Sequence, residues 1–132
     1  MDAGGKEIPV KFKESLPEEG GQCPPSEAAP VARSEAWRFV NHNPVIDDDF
    51  KSHHARSKPC PPSVPVCKWA ATSLFTKKKT AFKYLPKPRS RYRFIAKINI
   101  SPTCGVSILE NGHINFWRYD TFSPIALDIE AL

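Results

Sequence analysis

The sequence predicts an α+β fold, a small single domain with a C-terminal three-stranded antiparallel meander and one or two short helices. Three stretches carry that prediction. In YRFIAKINI, residues 92 to 100, Tyr92, Phe94, Ala96, Ile98 and Ile100 fall on one face, and Arg93, Ile95, Lys97 and Asn99 on the other. A period of two over such a run is a strand signal. GVSILENGHINFWRY follows, two β-rich runs around Asn111-Gly112. Both turn residues tolerate the positive φ of a type I′ turn, so the segment reads as a hairpin in which Glu110 faces His113 and Leu109 faces Ile114. TKKKTAFKYL, residues 76 to 85, places Ala81, Phe82 and Leu85 on one side of a helix, with Thr76 as candidate cap and Pro86-Lys87-Pro88 as stop. A chain of 132 residues accommodates one such domain and not two.

The remaining elements follow in order. Residues 1–32, with PEEGGQCPPSEAAP, are rich in Pro, Glu, Gly and Ala and have little to bury. They read as a flexible, acidic, proline-rich tail in which only Ile8, Val10 and Phe12 alternate, and the domain is expected over 33–132. SEAWRFVNHNP suggests a short helix capped by Ser34, with Trp37 and Val40 inward, ended by Asn43-Pro44. VIDDDF reads as a turn. The prolines of KSHHARSKPCPPSVPV, residues 51 to 66, exclude helix and central strand, leaving a loop. CKWAATSLF suggests a short buried strand. The strands of residues 92 to 119 form the meander, and the helices near 35–41 and 77–85 are expected to cover its apolar face.

Charge is unevenly distributed. Residues 1–50 hold ten acids and five bases, whereas residues 50–109 hold thirteen bases and no acid. A field of that kind concentrates anions and speeds their arrival. Within it Lys77, Lys78, Lys79, Lys83, Arg89, Arg91, Arg93 and Lys97 are interleaved with Tyr84 and Tyr92. Cations neutralise phosphates, and aromatics stack on unpaired bases. The leading expectation is therefore a non-catalytic module that binds a polyanion, above all nucleic acid, through the block 77–97. An acidic protein partner is the alternative, the chain's own acidic N-terminal segment included.

No apolar stretch is long enough for a membrane span, and the N-terminus has no apolar leader region. The expectation is a soluble cytoplasmic protein (nuclear in a eukaryote) with no membrane partner, whose four cysteines are reduced thiols. His53, His54, Cys60 and Cys67 lie close in sequence, with Cys104 as a further thiol, but without the spacing of a zinc knuckle. Asp47, Asp48 and Asp49 are candidates for a magnesium ion or a general base, although contiguous acids cannot all point one way. Cys104 with His113 is a candidate nucleophile and base. Neither a metal nor a cofactor is expected on these grounds.

WAATSLFTKKKTAFKY, residues 69 to 84, resembles the middle motif of ADP-ribosyltransferases, a strand ending in Ser-Thr-Ser-like residues followed by a short helix carrying Ala-x-x-Phe/Tyr. Thr72-Ser73 and Ala81 to Tyr84 stand in those positions. RFIAKINISPTCGVSI resembles the strand and glycine that follow in that family. The resemblance implies a nucleotide-using enzyme in which Ser73 helps to shape a nicotinamide-nucleotide pocket. It implies further that Arg56 or His54 supplies the leading Arg/His motif, and that Glu110 is the catalytic glutamate with His113 beside the cleft.

Overall fold

Apolar alternation on several strands draws the chain into one sheet that is covered on both faces. The computed structural model describes residues 11–132. The strands are β1 (Arg33–Val40), β2 (Thr72–Phe75), β3 (Phe94–Ile100), β4 (Gly105–Glu110), β5 (His113–Arg118) and β6 (Ala126–Ala131). Two short helices, α1 (Val66–Trp69) and α2 (Lys78–Tyr84), complete the regular structure with two 3-10 turns, Asp47–Phe50 and Pro88–Ser90. All strand pairs are antiparallel, in the order β4-β5-β2-β1-β3-β6. The class is α+β, as the sequence predicts, and the structure weights it toward β.

The β4–β5 hairpin has the expected register, Leu109 opposite Ile114 and Glu110 opposite His113. Its turn holds Asn111 at φ 50° and Gly112 at φ 80°. Gly105 opens β4 where no side chain fits: a Cβ there would collide with the Trp117 carbonyl and come within 2.7 Å of the Phe116 ring.

The expected meander is corrected at one join. β3 does not pair with β4; it lies between β1 and β6. The reason is that residues 33–40 form a strand and not the expected helix. Ala36 and Val40 enter one cluster and Trp37 and Phe39 the other. A helix would have exposed part of this set, whereas a central strand buries residues of both parities. The first cluster gathers Ala36, Val40, Leu74, Ala96, Ile98, Ile100, Ile114 and Phe116 under Val45, Phe50 and Phe122 from loops. The second gathers Trp37, Phe39, Phe75 and Ile95 under Ala81, Phe82 and Leu85, the α2 face that the sequence predicts. Thr76 does not cap α2; Lys77 occupies the N-cap, and the Thr76 hydroxyl donates to the Gly112 carbonyl.

Residues 11–32 hold no named helix or strand and lie against the domain. Phe12 bridges to Tyr119, and Ala29 to Ser107 on β4. Glu14 accepts from the backbone and hydroxyl of Ser52 and from Arg118. Cys23 is bonded to Cys67 at the start of α1, 44 residues away, so two of the four cysteines are not the free thiols expected. Spacing alone could not reveal a pairing made by this return of the chain. Ile8 and Val10 lie outside the described residues. Among the described residues, no helix is long and apolar enough to cross a membrane.

Candidate anion- and ring-binding cavity

The site begins where the sheet comes apart. β1 and β2 share one register pair, Trp37 with Phe75. Carbonyls beyond that pair need donors other than a neighbouring strand. Arg38 supplies them, Nη1 donating to the Ser73 carbonyl and Nε to the Asp49 carbonyl, each at 2.7 Å. Its guanidinium stands 5.9 Å from the Phe50 ring centre. Burial, reinforced by Arg56 and Arg118 and opposed by Tyr92 and Asp49, lowers its pKa to about 10, so it remains a cation at neutral pH.

The seam opens into a cavity of about 560 Å³. On its floor Ser73 is the cross-strand partner of Asn115, and Phe75 that of His113. The Phe75 and His113 rings stack at 5.1 Å, with Tyr84 5.2 Å from the first and 5.6 Å from the second. On other walls, Tyr92 stacks on Phe39 at 5.7 Å and His53 on Trp69 at 4.3 Å. The Trp69 indole is fixed by donation to the Lys58 carbonyl at 2.9 Å.

Cations converge on the same space. Lys51, Arg56, Lys58, Lys68 and Arg91 line it with Arg38. Asp48 offsets part of this charge, pairing with Lys51 at 3.3 Å and with Arg56. The Lys51 hydrogen bond, helped by Arg56, holds the Asp48 carboxyl below its ordinary range. The buried Asp49 carboxylate accepts from the Asn41 and Ile46 backbones and bonds His42, so both of its oxygens are engaged in organising the turn. Burial comes first in lowering the His53 pKa, followed by the fields of Lys58, Arg38, Arg56 and Arg91. His113 is lowered by burial and by Lys68, against the opposing pull of Glu110. Both shifts favour the neutral imidazole.

Two polar atoms of lining residues, His113 Nε2 and Asn115 Oδ1, are buried without a partner among the described residues. Asn115 is 2% exposed, and its Nδ2 donates to Glu110 at 3.0 Å. That bond leaves an acceptor as the unmatched group. A buried acceptor calls for a donor, and a ligand N–H or O–H can provide one.

The residues singled out in the sequence are divided by the fold. Ser73, Tyr84, Arg91, Tyr92 and His113 line the cavity, as does Arg56; His54 does not. Glu110 stands outside the lining, paired with Lys68 at 3.0 Å. Lys78 pairs with Glu130 at 2.5 Å, and Lys78 and Lys97 both flank the Trp37 ring. Arg93 lies over Phe94. Lys77, Lys79 and Lys83 are exposed on or next to α2, and Arg89 lines a different cavity. Cys104 packs against the first cluster while His113 belongs to the opposite face, so the two do not form a nucleophile–base pair. Cys67 is in the disulfide and Cys60 donates to the Val64 carbonyl. Among the described residues, no group of three or more His, Cys, Asp or Glu is placed to hold a metal ion. Arg38, Asn115 and Trp69 were not foreseen. The signal for the first two is a single polar residue inside an apolar run, AWRFV and HINFW.

Comparison with protein-family models, with curated proteins and with solved structures finds no match to this chain.

Proposed function

We propose that the cavity binds a nucleotide, with the ring held among Phe75, Tyr84 and His113 and the phosphates met by Lys58, Arg56 and Arg91. The observation that carries this reading is the meeting of stacked rings and convergent cations around an unmatched buried acceptor on Asn115. Its volume is in the range of small-molecule sites. Rings supply stacking surface, cations supply phosphate attraction, and Asn115 Oδ1 takes an N–H from the ligand. The polyanion-binding expectation is retained in this form, with the seat moved from the whole block 77–97 to the part of it that reaches the cavity.

Titration with a dinucleotide cofactor, followed by Trp69 fluorescence, tests the reading beside a mixed single-stranded oligonucleotide over a salt series. A saturable dinucleotide response that is lost in Lys58→Glu and Arg91→Glu is expected. Oligonucleotide binding alone, abolished by replacing Lys77, Lys78 and Lys79 with glutamate, would instead favour the extended basic face. Tyr84, 70% exposed at the rim beside Lys83, is the observation that favours this second reading.

Transfer chemistry of the ADP-ribosyltransferase type is a further reading of the same cavity. It is favoured by Ser73 lying opposite Asn115 on the floor, with Glu110 bonded to Asn115 at the edge. In it Ser73 positions the ligand, and Glu110 would have to turn from Lys68 toward the reacting group. Glu110→Gln should then abolish release of nicotinamide from the dinucleotide while leaving its binding intact.

A further inference from the structure

The connector after α2 contributes to two cavities. Leu85, Arg91 and Tyr92 line the first, whereas Pro86, Lys87, Pro88 and Arg89 line a second of about 400 Å³. The second has a floor of Phe82, Ile95 and Leu132 and a side wall that includes Lys78 and Glu130. We propose that this second cavity docks an extended acidic peptide segment of a partner protein, laid along the outer edge of β6.

Three observations carry the proposal. First, among the described residues β6 ends the sheet, so one edge of its backbone has no strand neighbour. Such an edge takes an added strand through main-chain hydrogen bonds. Second, the end of β6 supplies alternating contacts along the groove. Glu130 reaches Lys78 at 2.5 Å, and two residues on Leu132 packs against the second hydrophobic cluster. Residues two apart share a face of a strand. Glu130 and Leu132 therefore set an alternation of acid and aliphatic residue along the wall and floor of the cavity, and a strand laid beside β6 would continue it. Third, Lys87 and Arg89 are exposed at this cavity, and among the described residues neither is ion-paired. They complement acidic side chains of the incoming strand.

The lining distinguishes peptide from nucleic acid. Its one aromatic ring, Phe82, is half-buried and packed edge-on against Phe39 at 5.4 Å. The rest is aliphatic or proline, so no free ring face is available to stack a base. Aliphatic side chains fit such a floor, and carboxylates fit its cations.

The test is fluorescence anisotropy with a labelled short peptide alternating glutamate and leucine, using the full chain. Lys87→Glu combined with Arg89→Glu, both exposed and remote from the core, is expected to weaken binding about tenfold or more. Replacing the leucines of the peptide with serine should do the same. Lys58→Glu in the first cavity, and saturating dinucleotide, should leave peptide binding unchanged, so the proposal stands or falls independently of the nucleotide reading. Absence of peptide binding, equal loss in Lys58→Glu, or displacement of the peptide by an oligothymidylate would overturn it.

Discussion

Replacement of Arg38 tests the central structural claim, that a guanidinium takes the place of a missing stretch of β ladder. β1 and β2 are joined by one register pair, and Arg38 donates to the Ser73 and Asp49 carbonyls at 2.7 Å. Its third contact, to the Lys51 carbonyl, is 3.4 Å and exposed, and adds little. A hydrogen bond from a charged donor contributes about 1.5–3 kcal/mol net, so the two short bonds together are worth about 3–6 kcal/mol. Arg38→Met keeps the length and apolar stem but leaves both carbonyls without this donor. It also removes the cost of burying a cation, which offsets part of the loss and brings the expected destabilisation to about 2–4 kcal/mol. With a urea m-value of about 1–3 kcal/mol/M for a small domain, the midpoint should fall by about 1–2 M. Arg38→Lys should lie between, because one ammonium cannot serve two carbonyls in the fork geometry of a guanidinium. The assay is urea unfolding followed by tryptophan fluorescence, with native-state hydrogen exchange on β2. A midpoint unchanged in Arg38→Met, with β2 amides equally protected, would show that the seam is held by packing alone and would refute the argument.

Three other outcomes are expected. Gly105→Ala should destabilise the domain by about 2–4 kcal/mol, since a Cβ would meet the Trp117 carbonyl and the Phe116 ring, and neither backbone nor a buried ring gives way cheaply; a thermal scan reads the loss, and an unchanged Tm would contradict the close approach. Cys23→Ser, which opens a crosslink spanning 44 residues, should cost up to about 4 kcal/mol by the chain-entropy estimate, measured by urea unfolding of the variant beside the oxidised protein. His53 and His113 have folded-state pKa values below the ordinary 6.5, so the unfolded chain binds more protons in the window from 6.5 down to the lowered values. Stability should therefore fall as pH falls through that window and be level, as far as these groups are concerned, above 6.5; an anion bound beside His53 favours its protonated form, so ligand affinity should rise over the same window, and pH-independent affinity would place the phosphates elsewhere.

The strands that were legible in the sequence are those whose signal is local. Asn111-Gly112 fixes the hairpin turn, and the turn fixes the opposition of Glu110 with His113. The apolar parity of Phe94, Ala96, Ile98 and Ile100 places all four in one cluster. SEAWRFV misled because Trp37 and Val40, three apart, fit one helix face as well as they fit a strand buried on both sides. Only its tertiary place between β2 and β3 decides between them. The same place explains why β3 does not join β4, for its two edges are taken by β1 and β6. Both of those neighbours lie outside the stretch from 92 to 119 that looked self-sufficient.

The site was legible only in part, because a charge run in sequence is not a charge cluster in space. Lys77 to Lys97 reads as one surface, yet α2 and the turn at Pro88–Ser90 send its members in different directions. Arg91 and Tyr92 join a cavity with Arg56 and Lys58, Lys87 and Arg89 join another, and Lys78 and Lys97 bracket Trp37. What composes the first cavity is instead a set of cross-strand relations, Ser73 with Asn115 and Phe75 with His113, that are set by the pairing of β2 with β5. Those residues are about forty positions apart in the chain, as expected of contacts made by sheet order and not by local spacing. Arg38 and Asn115 each announce themselves as a polar side chain between core neighbours, Trp37 with Phe39 and Ile114 with Phe116. Burying such a group is unfavourable unless it is matched. Arg38 is matched by the carbonyls of Ser73 and Asp49, whereas Asn115, a residue of the cavity lining, keeps a buried oxygen unmatched among the described residues. On the nucleotide reading proposed above, that difference separates a residue that builds the site from one that would read a ligand within it.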